Sequence, residues 1–144
     1  MIRKLKKENV NAIYKFAVND FDDDPWLTKK YLRDTIDAPG YHYGYFVNNE
    51  LAGAILVNKF DRPKLWIFFL AVKEGFKRKG IATSLLKKVE ERCDEEYPMI
   101  FVDIWDDSKA AKKFYIKNNF KRCAKIKDWY AIGEPGVIYS KRVI

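Results

Sequence analysis

The segment from Val72 to Ala82 carries the residues whose types and spacing best suit binding chemistry. It reads Val-Lys-Glu-Gly-Phe-Lys-Arg-Lys-Gly-Ile-Ala and joins an apolar run to a helical pattern. The first backbone N–H groups of a helix have no partners within the helix, and the helix dipole favours an anion there. Gly80 would let the backbone approach such a ligand, and the cations of residues 77–79 would surround it. The pattern predicts a phosphate site, with a solvated basic turn as the alternative.

Two nucleotide-binding motifs are excluded in this segment. Gly75 and Gly80 have the spacing of the glycines in a P-loop, but Ile81 and Ala82 stand where that motif requires Lys and then Ser or Thr. The Gly-x-Gly-x-x-Gly fingerprint of a Rossmann domain is missing as well. A nucleotide triphosphatase is therefore not expected.

Two side chains elsewhere in the sequence are polar groups within apolar patterns. Tyr115 lies in a helical pattern, which by itself favours packing in the core beside Phe114. Asp103 interrupts the apolar run 99–105, and a carboxylate in such a run is costly unless it is paired or used. Alternation along a strand would equally well place Asp103 outward, so both interpretations stay open.

Helical and strand patterns alternate along the chain and must position these residues. Apolar and β-branched runs predict strands at residues 2–5, 43–47, 51–60, 65–72, 99–105, 120–131 and 136–143. Helical periodicity predicts four helices. The first covers residues 7–19, and the second begins with an N-cap at Asp24 followed by Pro25. The third follows Gly80 and has Cys93 on its apolar face, and the fourth covers residues 108–118. Residues 48–50 and Gly133–Gly136 are predicted to be turns, and the run 65–72 is apolar enough for a strand covered on both faces. The order predicts a single α/β (α+β) domain over residues 1–144, with a mixed sheet, a right-handed strand–helix–strand crossover and helices on both faces.

Composition excludes several other classes of protein. The chain has 144 residues, of which 48% are hydrophobic and 33% charged, which suits one folded domain rather than a disordered chain. Its longest apolar run is too short for the ~20 residues of a membrane helix, so no membrane partner is expected. Cys93 and Cys123 are too few for a disulfide scaffold or a CxxC metal site, so a cytoplasmic protein with reduced thiols and no metal is expected.

The net charge of +8 is open to several interpretations. It suits nucleic acid, an anionic membrane, a small polyanionic ligand or simply solubility. The lysine-rich stretch 109–127 is interpreted mainly as a solvated helix face. A nucleic-acid partner is accordingly not expected.

Two motifs together resemble the GNAT family of N-acetyltransferases. The family's acetyl-CoA signature, Arg/Gln-x-x-Gly-x-Gly/Ala after a strand, is similar to residues 77–82, with Lys77 at the first position. Its later block, Asn-x-x-Ala-x-x-x-Tyr-x-x-x-Gly-Phe, is similar to residues 108–120, with Ser108 for Asn and Asn119 for Gly. The chain end, residues 130–141, resembles members that acetylate protein N-termini, such as ribosomal-protein alanine acetyltransferases. The resemblance implies a mostly antiparallel central sheet of about seven strands with one parallel strand pair.

The resemblance also implies a cosubstrate and residue roles. Acetyl-CoA would lie with its pyrophosphate on the amides of residues 77–83 and its pantetheine arm along the backbone of residues 70–72. Tyr115 would protonate the leaving thiolate, and Asp103, five residues before Ser108, would take the proton of the amine, directly or through a water. The residues expected to bind acetyl-CoA are Leu70, Ala71, Val72, Lys77, Arg78, Lys79, Gly80, Ile81, Ala82, Thr83, Ser108 and Tyr115.

The sequence leaves the acceptor open among a protein N-terminus, a lysine side chain and a small amine. The carboxylates of residues 20–24 would attract a cationic amine or form a solvated loop, and Trp129, Tyr130 and Tyr139 are candidates to line the acceptor cleft. His42, the single histidine, is interpreted as a strand or loop residue. The alternatives to an enzyme are a non-catalytic acetyl-CoA sensor and, with less support, a basic RNA-binding module. A homodimer is left open.

Overall fold

The computed structural model describes residues 1–20 and 26–144, without the side chains of residues 19 and 20. Strands and helices follow one another in the predicted order, with a short 3-10 turn at Lys7–Asn9. The elements are β1 (Ile2–Lys4), α1 (Val10–Asp20), α2 (Lys29–Asp37), β2 (Gly40–Val47), β3 (Glu50–Lys59), β4 (Lys64–Val72), α3 (Ile81–Glu90), β5 (Met99–Trp105), α4 (Lys109–Lys117), β6 (Lys121–Ala131) and β7 (Glu134–Arg142). None of the helices in these ranges is long and apolar enough to cross a membrane.

The strands form a mixed sheet in the order β1-β2-β3-β4-β5-β7-β6. β4 and β5 are parallel, whereas β1–β2, β2–β3, β5–β7 and β6–β7 are antiparallel, which confirms the predicted sheet with one parallel pair. The chain divides into a first unit, residues 1–59 and 68–92, and a second unit, residues 60–67 and 93–144. β4 contributes its last residues to the first unit and its first residues to the second. A single domain over residues 1–144 stays a prediction.

The first unit carries helices on both faces of its strands. Ala54 and Leu56 of β3 belong to a core shared with α1 and α2. On the opposite face of β3, a Cβ added to Gly53 would lie 3.0 Å from the side chain of Ile81 in α3. The β2–β3 turn is made by two asparagines with φ of 51° and 66°, the backbone that a tight hairpin with right-handed twist requires.

The second unit holds the strand on which Asp103 lies. β4 pairs with β5 from Lys64 and Met99 to Ile67 and Val102. On β5, Ile100, Val102 and Ile104 are buried, while Phe101, Asp103 and Trp105 on the opposite face are half-buried. Alternation along β5 thus places Asp103 on a partly open face between two aromatic side chains.

The start of α2 differs from its prediction. The helix begins at Lys29 rather than after Asp24 and Pro25, because Thr28 is its N-cap and the Thr28 hydroxyl accepts a hydrogen bond from the amide of Tyr31 at 3.0 Å. A threonine hydroxyl can satisfy an orphan N–H group of the first turn, which fixes the boundary at that residue. Asp24 and Pro25 themselves lie outside the described residues.

Three further details correct the sequence interpretation. β4 is buried at alternate positions only, and Phe68 between them is 38% exposed, so the strand is not covered on both faces. The β6–β7 turn consists of residues 132–133, because β7 already begins at Glu134. Cys93 is buried as predicted, but it follows the end of α3 at Glu90.

Candidate active site

The loop between β4 and α3 is shaped by left-handed backbone at three positions. Gly75, Arg78 and Gly80 have φ of 92°, 65° and 77°. Gly80 is the N-cap of α3, and its carbonyl accepts the first helical hydrogen bond from the amide of Ser84 at 3.0 Å. An added Cβ at Gly80 would meet no atom within 4 Å, so the space beside the helix N-terminus is open.

The side chains of this loop place positive charge beside the N-terminus of α3. Lys77 pairs with Glu74 at 3.3 Å, and the ammonium of Lys79 lies 5.8 Å from the ring centroid of Phe76. Among the described residues, Arg78 has no ion-pair partner, and its side chain is exposed. Together with the helix N-terminus, these cations can hold an anionic group such as a pyrophosphate.

The end of β4 lies beyond its ladder with β5. That ladder ends at Ile67, whereas Leu70, Ala71 and Val72 belong to the first unit. The amide of Lys73 donates to the carbonyl of Ala52 on β3 at 2.7 Å, so the other side of β4 is anchored. An extended ligand segment could pair with residues 70–72 as an added strand.

Tyr115 is buried at the C-terminal end of α4 and is held there by the way the helix ends. Asn119 adopts φ of 70°, and the amides of Asn119 and Phe120 donate to the carbonyls of Ile116 and Tyr115 at 3.0 and 2.9 Å. This is the Schellman arrangement, in which Asn119 takes the left-handed conformation that commonly ends a helix. The rings of Phe120 and Phe114 contact the Tyr115 ring edge-on at 5.1 and 5.0 Å.

The environment of Tyr115 favours its protonated form. Burial raises the pKa of the Tyr115 phenol well above its usual value, and the negative charge of Asp103 raises it further. The hydroxyl therefore keeps its proton across the neutral range. The phenol is thus in the protonated form that a general acid starts from, although its raised pKa makes it a weaker acid than an exposed tyrosine.

Asp103 is a carboxylate whose two oxygens both accept hydrogen bonds. Its Oδ1 accepts a hydrogen bond from Nε1 of Trp66 at 2.7 Å. Its Oδ2 accepts one from the hydroxyl of Tyr130 at 2.8 Å and one from Nε1 of Trp129 at 3.2 Å. The ring of Tyr130 also stacks on Trp105 with centroids 4.1 Å apart. These donors compensate the cost of placing a carboxylate in an apolar strand.

Trp66 is a site residue that the sequence interpretation missed. It was indistinguishable from core in the apolar run 65–72, and only the parallel register, which sets Trp66 beside Phe101, brings its indole to Asp103. Trp129 and Tyr130 do meet at one carboxylate, but Tyr139, expected to line a cleft with them, does not join them. Tyr139 is buried and pairs with Val102, on the face opposite to Asp103.

Ser108 and His42 take different places in the structure. Ser108 is the N-cap of α4, but its hydroxyl makes no capping hydrogen bond, so the oxygen remains available to a ligand. His42 is buried in β2, where its Nδ1 accepts from the amide of Val57 at 3.3 Å and its Nε2 lies 3.3 Å from the carbonyl of Ala38. Burial lowers the pKa of His42, so the ring is neutral and structural, as predicted. The acidic stretch 20–24 lies outside the described side chains.

Comparisons with known proteins agree with this arrangement of motifs. The model of the "Acetyltransferase (GNAT) family" matches residues 7–120. An N-alpha-acetyltransferase from Saccharolobus solfataricus is 32% identical over 74 residues, a match that covers 50% of this chain and 44% of that protein. The chain thus matches less than half the length of this curated relative.

Solved structures share the fold at low sequence identity. Ard1 from Thermoplasma volcanium superposes with a TM-score of 0.86 at 21% identity, over 100% of this chain and 97% of the other. The ribosomal-protein-S18-alanine N-acetyltransferase from Escherichia coli gives a TM-score of 0.83 at 17% identity, over 99% of this chain and 93% of the other. Since the family match spans both the loop that ends at Gly80 and the helix that carries Tyr115, the chain belongs to the GNAT acetyltransferase family.

Proposed function

We propose that this protein is an acetyl-CoA-dependent N-acetyltransferase that transfers the acetyl group directly to a primary amine. The observation that carries the proposal is the loop that ends at Gly80. It places open backbone, the N-terminus of α3 and exposed cations at one point, as an anionic cofactor requires. Membership of the GNAT family gives this anion site its expected ligand.

Acetyl-CoA would bind through backbone groups more than through side chains. The pyrophosphate would accept hydrogen bonds from the amides of residues 77–83, where Gly80 lets the ligand come close. The pantetheine arm would pair with the backbone of Leu70, Ala71 and Val72, and the Ser108 hydroxyl would add one hydrogen bond. Lys77, Arg78 and Lys79 would neutralise the phosphates.

The transfer would need one proton to leave the amine and another to reach the sulfur. The neutral amine attacks the thioester carbonyl, a C–N bond forms, and the C–S bond then breaks. Amides at the end of β4, including that of Val72, would polarise the carbonyl. Tyr115, which keeps its proton at neutral pH, would deliver it to the departing thiolate.

Asp103 would receive the proton that the amine loses. Each of its oxygens already accepts a hydrogen bond, so we propose that the proton reaches Oδ2 through the Tyr130 hydroxyl, which donates to it at 2.8 Å. A phenol can pass one proton on while accepting another, whereas the indoles of Trp66 and Trp129 can only donate. Tyr130 would thus serve in place of the water through which Asp103 was expected to act if it did not act directly.

A protein N-terminus is the acceptor that we propose for the first test. The basis is the likeness of the chain end to N-terminal acetyltransferases and the curated relative named N-alpha-acetyltransferase. Specificity in such folds lies in loops rather than in the cofactor motif, so lysine side chains and small amines belong in the same panel.

The test is a thiol-release assay with acetyl-CoA across that acceptor panel. It should contain peptides with a free N-terminus and one internal lysine, the same peptides with a blocked N-terminus, a polyamine and an aminoglycoside, and mass spectrometry should locate the acetyl group. We expect release of CoA in step with acetylation of a free amine. Measurable acetyl-CoA binding without transfer to any acceptor would contradict the proposal and favour a non-catalytic sensor.

A further inference from the structure

The whole formal charge of the protein lies in one stretch of the chain. Residues 109–127 contain eight Lys and Arg and no Asp or Glu, whereas the full chain has 28 and 20. The remainder therefore holds 20 of each sign, and its formal charge is zero. α4 and the first part of β6 carry the entire excess of +8.

On α4 the cations form a stripe. Lys109, Lys113 and Lys117 follow one another at intervals of four residues, which places them on the same face of the helix. Successive positions are about 6 Å apart along the helix axis. All three side chains are exposed.

On β6 a bulge gathers further cations onto one face. Arg122 pairs with Tyr139 and Lys125 with Val137, and the register shifts between them. Tyr139 and Val137 lie on one face of β7, so Arg122 and Lys125 share a face although they are three residues apart.

Asp106 links the two elements. Its two carboxylate oxygens bind Lys112 of α4 at 3.1 Å and Lys125 of β6 at 3.0 Å. Both lysines hydrogen-bond this carboxylate and lower its pKa, so the ion pairs persist across neutral pH. The lysine stripe of α4 and the face of β6 that carries Arg122 and Lys125 are therefore held in folded elements that this carboxylate connects.

The lysine stripe of α4 and Arg122 of β6 define what we call the basic surface. Within the described ranges, each of these cations is exposed and pairs with no carboxylate. They are Lys109, Lys113, Lys117 and Arg122, whereas Lys121 pairs with Ser140 and lies on the opposite face of β6.

We infer that the basic surface binds the phosphate backbone of a nucleic acid. Phosphate contacts by Lys and Arg provide affinity without base readout, which fits a surface made of lysine point charges. Lysine is depleted at protein–protein interfaces, which argues against an acidic protein as the occupant. A membrane-surface helix would need an apolar outer face, but the large side chains of α4, Phe114 and Tyr115, are turned inward, and Ile116 is its one strongly exposed apolar residue. This interaction would add to acetyl transfer, and it differs from the expectation that the stretch serves mainly solubility.

Fluorescence anisotropy with a labelled 20-nucleotide single-stranded RNA tests the inference. The affinity should be measured between 50 and 200 mM salt for the wild-type protein and for two triple variants of equal net charge. One is Lys109→Gln/Lys113→Gln/Lys117→Gln, and the control is Lys4→Gln/Lys15→Gln/Lys87→Gln, three exposed lysines outside the basic surface. Circular dichroism verifies that both variants fold.

The wild-type protein should bind with a steep salt dependence. Loss of three phosphate contacts should lower the slope of log K against log salt by about 2 to 3 in the first variant only. The same titration with single- and double-stranded DNA of the same sequence shows whether the basic surface prefers the phosphate backbone of RNA or of DNA. Equal losses in both variants, absence of salt-dependent binding, or tighter binding to polyglutamate or anionic vesicles than to RNA would overturn the inference.

Discussion

The backbone carbonyl of Tyr115 accepts a hydrogen bond from the amide of Phe120 at 2.9 Å, while the two rings meet edge-on at 5.1 Å. One residue thus both closes the last turn of α4 and packs against the side chain proposed as the proton donor. The contact requires Asn119 between them to adopt φ of 70°. The position of the phenol is therefore set by how the helix ends.

Asn119→Val should destabilise the protein, and Asn119→Gly should not. A β-branched residue at positive φ costs about 1–2 kcal/mol, whereas glycine adopts this backbone freely. Urea unfolding at neutral pH measures the difference. Equal free energies of unfolding for the two variants would show that the left-handed cap does not hold this helix end.

Gly80→Ala should weaken acetyl-CoA binding, while Gly133→Ala should not. Both glycines have positive φ, 77° and 83°, and at both an added Cβ would meet no atom within 4 Å. The backbone strain is therefore matched, and only Gly80 lies at the proposed pyrophosphate site. Isothermal titration should show a loss of about tenfold or more, or ~1.4 kcal/mol, for the first variant alone. Similar affinities for the two variants would remove Gly80 from the binding site.

Asp103→Asn should lower kcat more strongly than it changes the acceptor KM. Removal of a proton acceptor costs about 10²- to 10⁴-fold in rate. Trp66→Phe removes only the hydrogen bond to Oδ1 and keeps an aromatic ring, so its rate loss should stay below about tenfold. If Asp103→Asn retained the wild-type kcat, Asp103 would only hold Trp129 and Tyr130 in place.

The motifs and the order of elements could be predicted because their signals are local. The basic loop before α3 and the spacing of Tyr115 from Phe120 are contained within about a dozen residues each. The predicted start of α2 was wrong because Asp24 and Thr28 are both residue types that cap helices, and the sequence pattern does not tell which of them caps this one.

The partners of Asp103 could not be predicted from the sequence. Trp66, Trp129 and Tyr130 lie 37, 26 and 27 positions from Asp103, and they meet only through strand pairing. Such pairing depends on register, which a single apolar run such as residues 65–72 does not specify. The alternate burial of residues 65–72 also depends on strand pairing, so it could not be predicted either.

Stability should fall between pH 7.5 and pH 5 because of His42. Burial lowers the pKa of this histidine, so the unfolded chain, with an ordinary pKa near about 6.5, binds a proton that the folded protein excludes. Its contribution is therefore present above about pH 6.5 and is lost as the pH falls. His42→Gln does not titrate and should therefore lose less stability than the wild type over this range. The same loss in both proteins, measured by urea unfolding, would assign the pH dependence to other groups.

The most direct test of the account compares Tyr115→Phe with the wild type in acetyl-CoA turnover and acetyl-CoA binding. The substitution removes only the hydroxyl and keeps the ring contacts with Phe114 and Phe120. Proton donation by Tyr115 predicts a kcat lower by about 10²-fold or more, with the Kd of acetyl-CoA unchanged within about twofold. An unchanged kcat would contradict the proposed role of Tyr115 as the acid that releases CoA.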